Sequence, residues 1–185
     1  APAITRRRFT TDEYEQIVAA GVFAEDDRVE LVDGEIIEMS PLGPRHSACI
    51  DRLTELLVPL VKGLAIVRVQ SPIRLSKYSE PQPDVTLLQW RTDYYTNGHP
   101  EPEDVLLLIE VADSSLVYDR DVKLPLYARA GVQEVWLVAL LQQTVTVYRA
   151  PSETGYGESH EARRGETIAP LTLPVAGVAV ESILG

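Results

Sequence analysis

The stretch that most constrains this chain is "VLLLIEVADSS", residues 105–115. An aliphatic run of this length, closed by small polar residues, reads as a buried strand. It contains one carboxylate, Glu110. A second apolar run, "VTLLQW" at 85–90, is entered through Asp84 in "QPD". Burying an ionised carboxylate without a partner costs several kcal/mol, so both acids require a compensating charge. If the strands are neighbours, the two acids converge at one edge of the sheet. Carboxylate oxygens completed by water are what Mg²⁺ or Mn²⁺ requires, and such an ion would supply the missing charge. Lys123 lies one helical turn beyond Asp119 on the helix that follows. A cation there can face the metal, polarise water or hold a phosphate. Each residue also has an ordinary reading: a turn cap for the aspartate, a salt bridge for the glutamate, a solvated face for the lysine. Their order and spacing together carry the argument.

The remaining segments predict an α/β fold, a mixed sheet flanked by helices with an N-terminal β-hairpin, in a single domain over 1–185. "FTTDEYEQIVAAGVF" opens with Thr10 or Thr11 as N-cap and Glu13 placed for a capping box, with Gly21 at its end. "RVELVDGEIIEMS" flanks Asp33-Gly34, a dipeptide suited to a type I′ turn, and predicts a hairpin. Leu53, Leu56, Leu57, Leu60 and Val61 recur at helical spacing, with Pro59 kinking or ending that helix early and Gly63 terminating it. "LAIVRVQSPIRLS" predicts one strand, or two broken at Pro72. "DRDVKLPLYARAG" predicts a helix capped by Asp119 and closed by Gly131, in which Pro125 is an anomaly. "EVWLVALL" and "TVTVYRA" read as a strand pair, and the tail as short strands, turns and a last apolar turn.

Charge bears on the partner. The chain carries 17 basic and 28 acidic residues, a net charge of −11 that argues against a general nucleic-acid coat. A local basic rim around an acidic site is still allowed. The lone cysteine, Cys49, forbids an intrachain disulfide and suits a reducing compartment. No apolar stretch approaches a membrane span, and "TRRRF" is followed by no signal-like apolar region, so the cytoplasm is expected.

The order Pro83-Asp84, Ile109-Glu110-Val111, then a lysine on the next helix resembles the PD-(D/E)xK nuclease superfamily. The usual lysine position, two residues after the second acid, holds Ala112. This shifted form is similar to the Uma2 family of restriction-endonuclease-like proteins, once a domain of unknown function. "VELVDGEIIEMSPLGPRH", "QPDV", "IEVADSS" and "DRDVKLPLYARAGVQEVWLV" resemble its motifs across nearly the whole chain. Ala139 departs from it, where many members carry an aspartate.

The resemblance implies Asp84 and Glu110 as metal ligands, the Val111 carbonyl as a further one, and Lys123 as the catalytic cation. Glu30 matches an additional acid. His46 matches a histidine at the start of the next helix, where a neutral imidazole would bond Glu30 or approach the metal. Gln70 is a weaker candidate. The implied activity is Mg²⁺- or Mn²⁺-dependent endonucleolytic hydrolysis of nucleic acid, foremost DNA, by a homodimer. Aliphatic "LVPLVKGLAIV" and the C-terminal apolar turn offer the surface for self-association. A binding or regulatory module that keeps the fold without cleaving is the alternative, favoured by the acidic surface. Hydrolysis of some other phosphorylated substrate is a third possibility.

Overall fold

A computed structural model describes residues 5–185. α1 (Thr11–Ala19) begins at Thr10, whose hydroxyl accepts from the Glu13 N–H while Glu13 caps in return. β1 (Val29–Val32) and β2 (Glu35–Glu38) form the hairpin, with positive φ at both Asp33 and Gly34 as a type I′ turn demands. α2 (Pro44–Leu60) carries Pro59 in its last turn. Next come β3 (Ala65–Val69), β4 (Val85–Gln89) and β5 (Val105–Ala112). The residues after Pro72 add no second strand to this sheet.

The helix after β5 departs from expectation. It starts at α3 (Leu116–Tyr118), runs through a π turn at Asp119–Lys123, and ends as α4 (Leu124–Ala130), with Gly131 left-handed behind it. Asp119 is therefore not the N-cap: its backbone is helical, and Ser115 precedes the helix. The π turn also accounts for Pro125. Proline has no N–H to continue an α-helical ladder and its ring clashes with the carbonyl four residues back. Here the Leu124 N–H reaches Asp119 O, five residues back, so the ladder is already displaced before the proline arrives.

β6 (Glu134–Ala139), β7 (Thr144–Ser152) and β8 (Gly155–Ala162) complete a six-stranded sheet in the order β3-β4-β5-β6-β7-β8. Only β5 and β6 pair in parallel within it. β9 (Thr167–Ile168) pairs with β10 (Val178–Ala179), and α5 (Val180–Leu184) follows.

Strand alternation divides the core. Val85, Leu87, Leu107, Ile109 and Val111 join α2 and α5 on one face; Leu88, Leu108 and Val135 join α4 on the other. The apolar C-terminal turn, expected as a self-association surface, is spent inside the chain: Val180, Ile183 and Leu184 are buried. Arg52 clamps it to α2 by donating to the carbonyls of Ile183 and Leu184 (2.9 and 2.8 Å). Among the described residues, no helix is long and apolar enough to cross a membrane.

Candidate metal centre

β4 and β5 are antiparallel neighbours with Val85 opposite Ile109. Asp84 and Glu110 therefore project from the same face, at the end of the sheet where β4 begins and β5 finishes. The Asp84 N–H points at Glu110 Oε2 (3.4 Å), and the Val111 N–H donates to Asp84 Oδ2 (2.8 Å). Glu30 arrives from β1, because the hairpin is tied to the segment before Asp84 by reciprocal Leu31–Glu80 backbone bonds. Gln82 N–H donates to Glu30 Oε2 (3.0 Å).

Lys123 fills the space between the acids. Its Nζ lies 2.7 Å from Glu110 Oε1 and 3.4 Å from Glu30 Oε2. Tyr127, one turn further on, donates to the same Glu110 oxygen, and the Tyr118 hydroxyl reaches Glu30 Oε1 (3.4 Å). The lysine thus supplies charge that the sequence argument assigned to a metal ion, and burial of the acids does not by itself require one. Asp119, expected as a cap, instead lines the same cavity and accepts from Ser115 Oγ (2.5 Å). Spacing of four residues either side of Lys123 was the signal for Asp119 and Tyr127, since such positions share a helix face.

His46 does not bond Glu30. Its Nε2 sits 3.1 Å from Asp84 Oδ2, and Nδ1 is buried without a partner. Burial opposes its charge, but the hydrogen bond and charge of Asp84 outweigh that and lift the imidazole above its ordinary value. The neutral imidazole expected from the helix terminus is therefore corrected toward the charged form. Gln70 Nε2 makes only a long contact to Asp84 Oδ1 (3.5 Å).

The electrostatics show an excess of acid. Burial pushes Glu110 up to about 8, with Lys123 pulling it down and Asp84 pushing it further up. Burial likewise raises Asp119. Burial works against the Lys123 ammonium, yet Glu110, Glu30 and Asp119 hold its proton more firmly than usual. Asp84 is lowered despite burial, through His46 and the Val111 N–H. The carboxylates of Glu30, Asp84, Glu110 and Asp119 outnumber Lys123 and His46, and Glu110 Oε2 and Asp84 Oδ1 have only long contacts. An oxygen donor set with surplus negative charge fits a hard divalent cation.

A different set, Glu15, Glu80 and His99, brings its ligand atoms within 4.8 Å of one another. Arg74 donates to both glutamates there, 3.1 Å from Glu80 Oε2, so a guanidinium already balances that cluster.

A mixed sheet with paired acids at one strand end, a lysine from the next helix and a flanking hairpin defines a restriction-endonuclease-like fold. The sequence model of the Uma2 family, described as "Putative restriction endonuclease", matches residues 11–181, and the chain belongs to that family. The fold is also similar to that of a putative nuclease belonging to DUF820 from Anabaena variabilis ATCC 29413. That match has a TM-score of 0.71 and 18% identity, over 95% of this chain and 97% of the other. No curated protein matches the chain.

Proposed function

We propose that the chain, acting as one domain, is a Mg²⁺- or Mn²⁺-dependent endonuclease that hydrolyses phosphodiester bonds, DNA foremost. The observation that carries this is the convergence of Asp84 and Glu110 on one sheet face, with Glu30 and Lys123 in the same cavity. Asp84, Glu110 and Glu30 would hold the ion, with the Val111 carbonyl at the same edge. His46, whose Nε2 is engaged by Asp84, orients that ligand here and joins the ion's ligands only if that bond is exchanged. When bound, the ion supplies positive charge to a phosphate and activates water. The chain's own part is positional. The Val111 N–H and His46 fix the Asp84 carboxylate, Tyr127 fixes Glu110, and Lys123 offers an ammonium to a non-bridging phosphate oxygen.

Two-fold assembly and a cytoplasmic setting belong to this reading. With α5 buried, Val58 and Leu64 are the large aliphatics still exposed in "LVPLVKGLAIV". A second reading, a binding module without cleavage, is favoured by Lys123 being fully engaged with Glu110 and Glu30 in the metal-free arrangement. The test is Mg²⁺ titration by calorimetry on wild type and Asp84→Asn, followed by incubation with mixed nucleic acids. Binding and cleavage by wild type, both lost in the variant, are expected. Binding without cleavage favours the module. No binding removes the metal centre.

A further inference from the structure

The reacting groups are deep. Lys123 is 3% exposed, Glu110 4% and Asp84 8%. They line a cavity of about 460 Å³ whose other wall comes from β2 and the segment leading into α2. That wall is apolar: Ile37, Met39, Pro41 and Leu42. Arg28 moors it, donating to the Ser40 carbonyl (2.9 Å) and accepting from the Met39 N–H (2.7 Å) through its own carbonyl. Leu42 is 39% exposed although it lies beside these charged groups. Nothing in the packing of the chain requires a leucine there.

Volume and burial together restrict what can react. The cavity falls in the range of roughly 300–1,000 Å³ typical of sites for one small ligand, the scale of a single nucleotide. A duplex is a stiff rod with a persistence length of about 50 nm, its bases paired and stacked along the axis. It can lay phosphates on a surface, but it cannot bury one beside Lys123 unless a nucleotide leaves the stack. A single strand is free of that constraint, and every base has a face that packs on apolar side chains. Charge points the same way. Around an acid-rich cavity in a chain of net charge −11, long-range attraction cannot supply the affinity for a polyanion. A bound cation and contact with a base must do so.

We propose that this cavity admits an unpaired nucleotide of single-stranded nucleic acid, its base lying on the wall of Ile37, Met39, Pro41 and Leu42, in preference to the backbone of an intact duplex. The inference rests on the nuclease reading of the same site and names its substrate class.

The experiment measures fluorescence anisotropy of one labelled oligodeoxynucleotide, single-stranded or annealed to its complement, in Ca²⁺, beside cleavage of both forms in Mg²⁺. Single strand is expected to bind at least about tenfold tighter, and Leu42→Ser to lower that affinity about tenfold with unchanged thermal melting. Met39→Ala serves as a second variant on the same wall. Duplex bound or cleaved as well as single strand overturns the inference while leaving a nuclease. Tight single-strand binding without cleavage of either form upholds the inference and removes the nuclease reading. Failure to bind either form, or wall variants that bind like wild type, overturns it.

Discussion

Glu110 and Glu134 are buried carboxylates on adjacent strands of one sheet, yet they are satisfied in opposite ways. Glu134, fully buried at the start of β6, has donors on both oxygens. Arg149 donates to Oε1 from Nε and Nη2 (3.1 and 2.8 Å), Trp136 Nε1 joins it (3.0 Å), and the Leu171 N–H donates to Oε2 (2.6 Å). One acid meets one guanidinium, and no lone pair faces open space. At Glu110 the donors crowd Oε1, Oε2 has only the long contact to Asp84, and the lysine is shared with Glu30. Burial of an acid is therefore not in itself a functional signal. The balance of donors is. Glu134 closes a structure, whereas Glu110 keeps ligand capacity aimed at a cavity.

The sharpest way to break this contrast is to remove each cation. Lys123→Ala should destabilise the metal-free protein by about 3–5 kcal/mol, because it leaves buried acids uncompensated. Mg²⁺ should restore much of that loss, since the ion can take over the charge. Thermal melting with and without Mg²⁺ measures both. Glu134→Ala should cost somewhat less, about 3 kcal/mol, since the Arg149 side chain is 32% exposed and can rehydrate in part. Here Mg²⁺ should restore nothing, and rescue would show that the two regions are not distinct.

Next in size are Asp84→Asn and Glu110→Gln. Metal-free, each should melt within about 1 kcal/mol of wild type, because the amide keeps an acceptor and the acid excess falls. Wild type should gain about 2.7 kcal/mol at Mg²⁺ a hundredfold above its Kd, and both variants should lose that gain. Variants melting far below metal-free wild type would falsify the ligand role.

Cys49 lies on α2 in the core between the two regions. Burial pushes its thiol up to about 11, against an ordinary value of 9.0. Ionisation is thus disfavoured in the folded state: its contribution to stability is intact below pH 9 and is lost as pH rises through 11. A thiol reagent at pH 8 should label it only after unfolding, and Cys49→Ala should lose less stability than wild type between pH 9 and 11. Labelling of the native protein at the rate of a free thiol would contradict this. The smallest effect is expected at Arg163, whose pair with Glu161 is mostly exposed. Arg163→Ala should shift stability by no more than about 1 kcal/mol by chemical denaturation.

Much of this was legible in the sequence because local chemistry and tertiary structure agree there. The Thr10–Glu13 box, the Asp33-Gly34 turn and the aliphatic spacing of α2 each state their element. The order of Asp84, Glu110 and Lys123 placed them at one strand end, since antiparallel neighbours bring the start of one strand to the end of the other. β8 was not legible as a long strand. Glu158, Ser159, His160 and Glu161 are exposed at the sheet edge, so neither face imposes alternation. The partner of His46 was hidden because 38 residues separate it from Asp84. Glu134 could not be told from Glu110, for its partners Arg149 and Leu171 come from later segments that no local pattern connects to it.

The π turn acts as a ruler. Successive residues of an α-helix are rotated by about 100°, so adding or removing one residue turns all that precedes it relative to all that follows. Between Asp119 and Lys123 stand Arg120, Asp121 and Val122, all facing solvent. Their identities can drift freely, but their number cannot. Shortening the stretch by one would let the turn relax into an ordinary α-helix with a better ladder. It would also swing Asp119 and Tyr118 away from the cavity that Lys123 still faces. Indels here and substitutions here therefore have opposite consequences: a change of letter is silent, and a change of length dismantles the centre while making the helix more regular.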